Sequence, residues 1–188
     1  MSLVERAIMF ALKAHAGVTR KGKNRPYILH PIESMTIVGS LTDDEELLAA
    51  AVLHDTVEDT AVTTADIERE FGSRVAALVA SESEDKRPDR AAADTWLLRK
   101  QETISHLKSA DRDVRLICLG DKLANLRELA HDYGELGDAL WARFNQKDKD
   151  VHGWYYRAIY DILLQEFGAV PAMAEYCLLL ERVFKKNG

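Results

Sequence analysis

The chain has 188 residues, of which 47% are hydrophobic, and a formal net charge of −6. That length and apolar share suit one globular domain with a substantial core, and the acidic balance excludes a general nucleic-acid binder. No apolar run approaches the roughly 20 residues that span a bilayer, and no basic segment leads into an apolar one at the N-terminus. A soluble cytoplasmic protein without membrane association is therefore expected.

Leu3, Ala7, Phe10, Ala11 and Ala14 recur at helical spacing and predict a first helix. Residues 17–27, rich in Gly, Lys, Arg and Asn, predict a loop. Pro31 suits the first turn of a helix running to about residue 40. Thr42, followed by three acidic residues, is expected to cap a helix through Leu47, Ala50, Ala51 and Leu53, with His54 and Asp55 near its C-terminal end. Thr63-Thr64-Ala65-Asp66 resembles a capping box with Asp in place of Glu, and opens a short helix ending before Gly72. Ser73 begins another. The charged stretch 82–94, which includes Pro88, predicts a loop. Helices follow over about 95–108 and 111–130, with a short one over 136–145 and two long ones over 148–167 and 171–185. No strand alternation persists. The expectation is all-α, a single helical bundle of about 8–10 helices over 1–188. Cys118 and Cys177 lie in apolar surroundings and read as reduced core residues.

The chemistry concentrates in His54-Asp55-Thr56-Val57-Glu58-Asp59. His30 lies upstream in Pro26-Tyr27-Ile28-Leu29-His30-Pro31, and Asp121 downstream in Gly120-Asp121-Lys122-Leu123-Ala124-Asn125-Leu126-Arg127. Two imidazoles and two carboxylates are a good ligand set for a divalent ion such as manganese. Asp55 ends an apolar run, where a carboxylate is costly to desolvate unless it is paired or bound to a cation. Asp121 follows a core-like stretch in the same way, but its spacing equally allows an ion pair with Lys122 or Arg127. His15, His106, His131 and His152 stand singly and are expected to be structural.

His30, His54-Asp55 and Asp121 resemble the H…HD…D signature of the HD-domain metal-dependent phosphohydrolases. The three motifs, together with Phe71-Gly72 and Glu84-Asp85-Lys86, are similar to the hydrolase domain of the RelA/SpoT family and to its small stand-alone hydrolases of the Mesh1 type. The similarity covers about residues 1–165, leaving a C-terminal helix at about 171–185. It implies one manganese ion held by His30, His54, Asp55 and Asp121. It also implies that Glu58, assisted by Asp59, orients or deprotonates an attacking water.

Arg20-Lys21-Gly22-Lys23-Asn24-Arg25 places four cations in six residues of an acidic chain, just ahead of His30. Such a run suits a solvated surface or a polyanion site. The resemblance assigns Arg20 and Lys21 to the nucleobase, and Asn125 and Lys86 to the nucleotide. The chain departs from the family at Gly153-Trp154-Tyr155-Tyr156-Arg157-Ala158, where an aromatic either lines the pocket or packs between helices. The implied activity is removal of pyrophosphate from the 3′ position of guanosine tetra- or pentaphosphate, a small-molecule nucleotide substrate. The alternatives are an HD phosphohydrolase for another nucleotide or phosphorylated metabolite, and a catalytically silent nucleotide-sensing module.

Overall fold

The computed structural model describes residues 1–87 and 89–185; Pro88 lies outside them. The described residues are all-α, with one isolated bridge between Thr19 and Pro26 in place of any strand. Ten α-helices follow in order: α1 Leu3–Ala14, α2 Leu29–Gly39, α3 Glu45–Leu53, α4 Thr56–Asp59, α5 Thr64–Phe71, α6 Ser73–Glu82, α7 Ala92–Ser109, α8 Arg112–Leu136, α9 Lys149–Phe167 and α10 Pro171–Phe184. A 3-10 helix, Gly137–Arg143, precedes α9. Among these helices none is long and apolar enough to cross a membrane.

The chain forms two compact units. The first comprises Met1–Ser83 and Asp111–Ala124, so it takes in the first half of α8. Its centre is α3, which is apolar on every side. Ala49, Ala50, Ala51, Val52 and Leu53 are fully buried, as expected of a helix enclosed by others. Helices α1, α2 and α6 pack around it. Asp44, rather than Thr42, caps α3: its carboxylate accepts from the Glu46 and Leu47 amides, while Thr42 instead accepts from the Asp44 amide. The loop after α2 is thus two residues longer than expected, and the cap lies two residues further on. The Thr63–Asp66 capping box forms as the sequence indicates. Gly72, between α5 and α6, adopts φ 92°, which disfavours any side chain there.

Gly120 brings α8 against α2. A Cβ there would lie 2.7 Å from Val38 Cγ2 and 2.8 Å from the Ser34 carbonyl oxygen. Backbone cannot yield as a flexible side chain can, so Gly120→Ala is expected to cost about 1–3 kcal/mol. Thermal unfolding measures this directly, and an unchanged midpoint would show that the two helices part freely.

The second unit comprises Glu84–Ala110 and the described residues from Asn125 onward. Helices α7 and α10 both pack on α9. Trp96, Trp141, Phe144, His152, Tyr155, Tyr156 and Phe184 form its aromatic core. Glu84 anchors the loop to α7 by accepting from Arg99 at 2.8 Å and Lys100 at 2.6 Å. Arg127 makes a two-pronged pair with Glu175, with both contacts at 2.7 Å. Helix α8 runs past its expected end near residue 130 to Leu136, with Asp132 the buried residue of the added turns.

Candidate metal centre

The chain breaks its helix where the chemistry is densest. His54 is the C-cap of α3 and Asp55 the N-cap of α4. On one continuous helix, neighbouring side chains diverge by roughly 100°. The break lets both turn inward, so that His54 Nε2 lies 3.1 Å from Asp55 Oδ2. The preceding Leu53 carbonyl is satisfied by the Thr56 hydroxyl at 2.6 Å. His54 Nδ1 lies 2.8 Å from the Ala51 carbonyl. That contact assigns its proton to Nδ1 and leaves Nε2 free to act as a donor atom.

His30, from the first turn of α2, and Asp121, from α8, complete the group. His30 Nε2 lies 3.2 Å from both His54 Nε2 and Asp121 Oδ1, and 3.4 Å from Asp55 Oδ2. His54 Nε2 is 3.6 Å from Asp121 Oδ1. Donor atoms around an ion with bonds of about 2.1 Å stand roughly 3 Å apart, so this donor set fits a divalent metal. His30, His54 and Asp121 are buried, while the Asp55 side chain keeps 17% of its surface exposed and forms the open rim. The other oxygen of Asp121 accepts from Lys122. The ion pair with Lys122 that the sequence allows is formed by one oxygen of Asp121, while the other faces the two imidazoles.

The electrostatics are those of a cation site. Burial opposes charge on His54, but Asp55 and Asp121 outweigh it and hold the imidazole well above its ordinary pKa. His30 is raised by the same balance, with Asp121 and Asp55 overcoming burial. Burial would raise both carboxyls. His54 and His30 instead hold Asp55 well below its usual range, and Lys122 with the same histidines does so for Asp121. The two carboxylates thus favour positive charge where the side chains converge.

Glu58 and Asp59 lie on α4, three and four residues beyond Asp55, with Glu58 partly covered and Asp59 exposed. Arg20 places its guanidinium 5.3 Å from the centre of the Tyr27 ring, and Lys21 is exposed in the same loop. Lys86 and Asn125 belong to the second unit, Lys86 exposed in its loop and Asn125 partly covered on α8. In the divergent aromatic stretch, Tyr155 is buried against Trp96 and Tyr156 stacks on Phe184, whereas Trp154 is 40% exposed.

Three groups at the centre were not assigned from sequence. Tyr27 donates to Asp55 Oδ2 at 2.6 Å and Asp59 Oδ2 at 2.7 Å. Its place three residues before His30 was the available signal. His15, expected to be structural, stacks on Tyr27 with ring centres 4.8 Å apart. Burial pushes the Glu82 carboxyl, at the end of α6, up to about 7 against the pull of Lys122. No periodicity marks a helix-terminal Glu of this kind.

The HD domain family model matches residues 7–148. The chain belongs to the HD domain family. Within this family it resembles the branch its motifs indicate. It is 36% identical over 126 residues to the zebrafish (Danio rerio) guanosine-3′,5′-bis(diphosphate) 3′-pyrophosphohydrolase MESH1, covering 65% of this chain and 66% of that one. It is 30% identical over 155 residues to a Myxococcus xanthus GTP pyrophosphokinase, covering 81% of this chain but only 20% of that much longer protein. The solved structure of a metazoan SpoT ortholog that hydrolyses ppGpp superposes with a TM-score of 0.74 at 28% identity, covering 100% of this HD-domain chain and 97% of the ortholog.

Proposed function

We infer that the chain is a guanosine-3′,5′-bis(diphosphate) 3′-pyrophosphohydrolase built as one hydrolase domain over residues 1–188. His30, His54, Asp55 and Asp121 are its ligands for one manganese ion. The observation that carries this reading is the convergence of donor atoms from three separate sequence motifs: His30, His54 and Asp121 lie within 3.2–3.6 Å of one another, and Asp55 Oδ2 lies 3.1 and 3.4 Å from the two imidazoles. The substrate rests on the likeness to MESH1 and to the SpoT ortholog.

When bound, the ion supplies Lewis acidity and lowers the pKa of water beside it. The chain supplies the rest. Glu58 takes the proton of the attacking water, with Asp59 beside it. Arg20 and Lys21 bring positive charge to the open side of the centre, where a polyphosphate would be drawn in. Lys86 and Asn125 are further nucleotide contacts in this reading.

The test is turnover of guanosine tetraphosphate and a panel of other phosphorylated nucleotides with added manganese, scoring pyrophosphate against single phosphate. Release of pyrophosphate from guanosine tetraphosphate is expected. Cleavage of another nucleotide alone would favour the alternative phosphohydrolase, and binding without any turnover a sensing module.

Metal uptake should also depend on pH. Ligation needs neutral imidazoles, so the ion must displace the protons that His30 and His54 hold above their ordinary pKa. Before metal is added, the stability due to the charged histidines is fully present below about pH 6.5 and is lost as pH rises through their folded pKa. That due to the two aspartates is present above about pH 4 and lost as pH falls through theirs. Manganese affinity is therefore expected to rise between pH 6 and pH 8. Calorimetry in buffers of different ionisation heat should detect proton release, and a pH-independent affinity would contradict charged histidines.

A further inference from the structure

A phenol carries one proton, yet the Tyr27 oxygen lies 2.6 Å from Asp55 Oδ2 and 2.7 Å from Asp59 Oδ2. Both are distances of short charge-assisted hydrogen bonds, and one O–H serves one of them at a time. The two carboxylates are neighbours on a single turn, since the Asp59 amide donates to the Asp55 carbonyl at 2.9 Å. Tyr27 therefore spans a metal-ligand candidate and a catalytic candidate that share α4.

The ring is held firmly. His15 is 3% exposed and stacks on it, and neither imidazole nitrogen has a hydrogen-bond partner among the described residues. His15 thus offers Tyr27 a flat face. The Arg20 guanidinium sits 5.3 Å from the ring centre. The Tyr27 amide donates to the Val18 carbonyl at 2.9 Å, and its carbonyl accepts from the His30 amide at 3.0 Å. With ring and backbone both fixed, the remaining freedom is rotation of the hydroxyl between its two acceptors.

We propose that Tyr27 is a positioning residue that couples the metal ligand Asp55 to Asp59, its hydroxyl turning to Asp59 when Asp55 is engaged in ligation. The proposal rests on the ligand assignment above. In the metal-loaded protein Asp55 spends its lone pairs on the ion and becomes the poorer acceptor. The Tyr27 proton is then left to Asp59, which it fixes beside Glu58. Loading the centre thereby orders the acid that assists the chemistry.

The variant is Tyr27→Phe, which keeps the ring, the His15 stack and the Arg20 contact. Manganese uptake is followed without substrate by near-ultraviolet circular dichroism, and turnover of guanosine tetraphosphate is measured alongside. Wild type is expected to show a tyrosine-band change on loading that Tyr27→Phe lacks. The variant should lose roughly tenfold to hundredfold in kcat, the usual size of such outer-shell effects, with KM within about twofold. Tyr27→Phe combined with Asp59→Asn should be no slower than Asp59→Asn alone, because a residue acting through Asp59 has nothing left to act on. Additive losses, a rise in KM with kcat unchanged, or a tyrosine-band change that survives in Tyr27→Phe would each overturn the proposal. If wild type takes up manganese and turns over while Tyr27→Phe behaves identically, this inference alone falls. If wild type takes up no manganese, the ligand assignment falls and takes the inference with it.

Discussion

Asp55→Ala should abolish both metal uptake and turnover while leaving the helical fold in place. Asp55 is the rim of the cluster, and its side chain is the most exposed of the four. Its removal leaves Asp121 paired with Lys122 and lets both imidazoles become neutral, so no uncompensated buried charge remains. A site filled at a hundredfold excess over its dissociation constant stabilises the folded state by about 2.7 kcal/mol. For a chain of this size, that corresponds to a rise of roughly 5–10 °C in the unfolding midpoint. Wild type should show this rise on adding manganese and Asp55→Ala should not. A variant that is still stabilised by the metal would remove Asp55 from the ligand set.

Glu58→Gln should separate chemistry from binding. The amide keeps the size of the side chain but cannot accept a proton, and acid–base help contributes typically about 10²–10⁴-fold. The variant is expected to lose that factor in kcat and to retain the manganese-induced stabilisation. Because Glu58 and Asp59 share one turn of α4, an unchanged rate would move the base to Asp59.

Much of this molecule was legible from residue order alone. Helix periodicity located every long helix, and local chemistry marked boundaries well where a single residue decides them, as at Thr63 with Asp66 and at Pro171. Other boundaries were missed. Helix α8 runs six residues past its expected end through turns that are largely exposed apart from Asp132, and the α3 cap lies at Asp44 because Thr42 is used to accept from the Asp44 amide instead. His30, His54, Asp55 and Asp121 could be gathered because their motifs occur together and in order. Tyr27 could not be assigned a role in the same way. A tyrosine three residues before a histidine has no fixed meaning until the fold places Asp55 and Asp59 at one oxygen. The same holds for His15, whose stack on Tyr27 depends on how α1 meets the following loop.

The first unit is discontinuous: residues 84–110 leave it before Asp111–Ala124 return and deliver Asp121. Asp55 and Asp121 are therefore close in space but far apart along the polypeptide. An ion bridging them would close a long loop of chain, and the entropy removed from the unfolded ensemble grows with loop length. It would also tie in the part of this unit that is synthesised after the rest of it. On this view the metal is a late cross-link, fastening the returning strand of chain to a unit already assembled around α3.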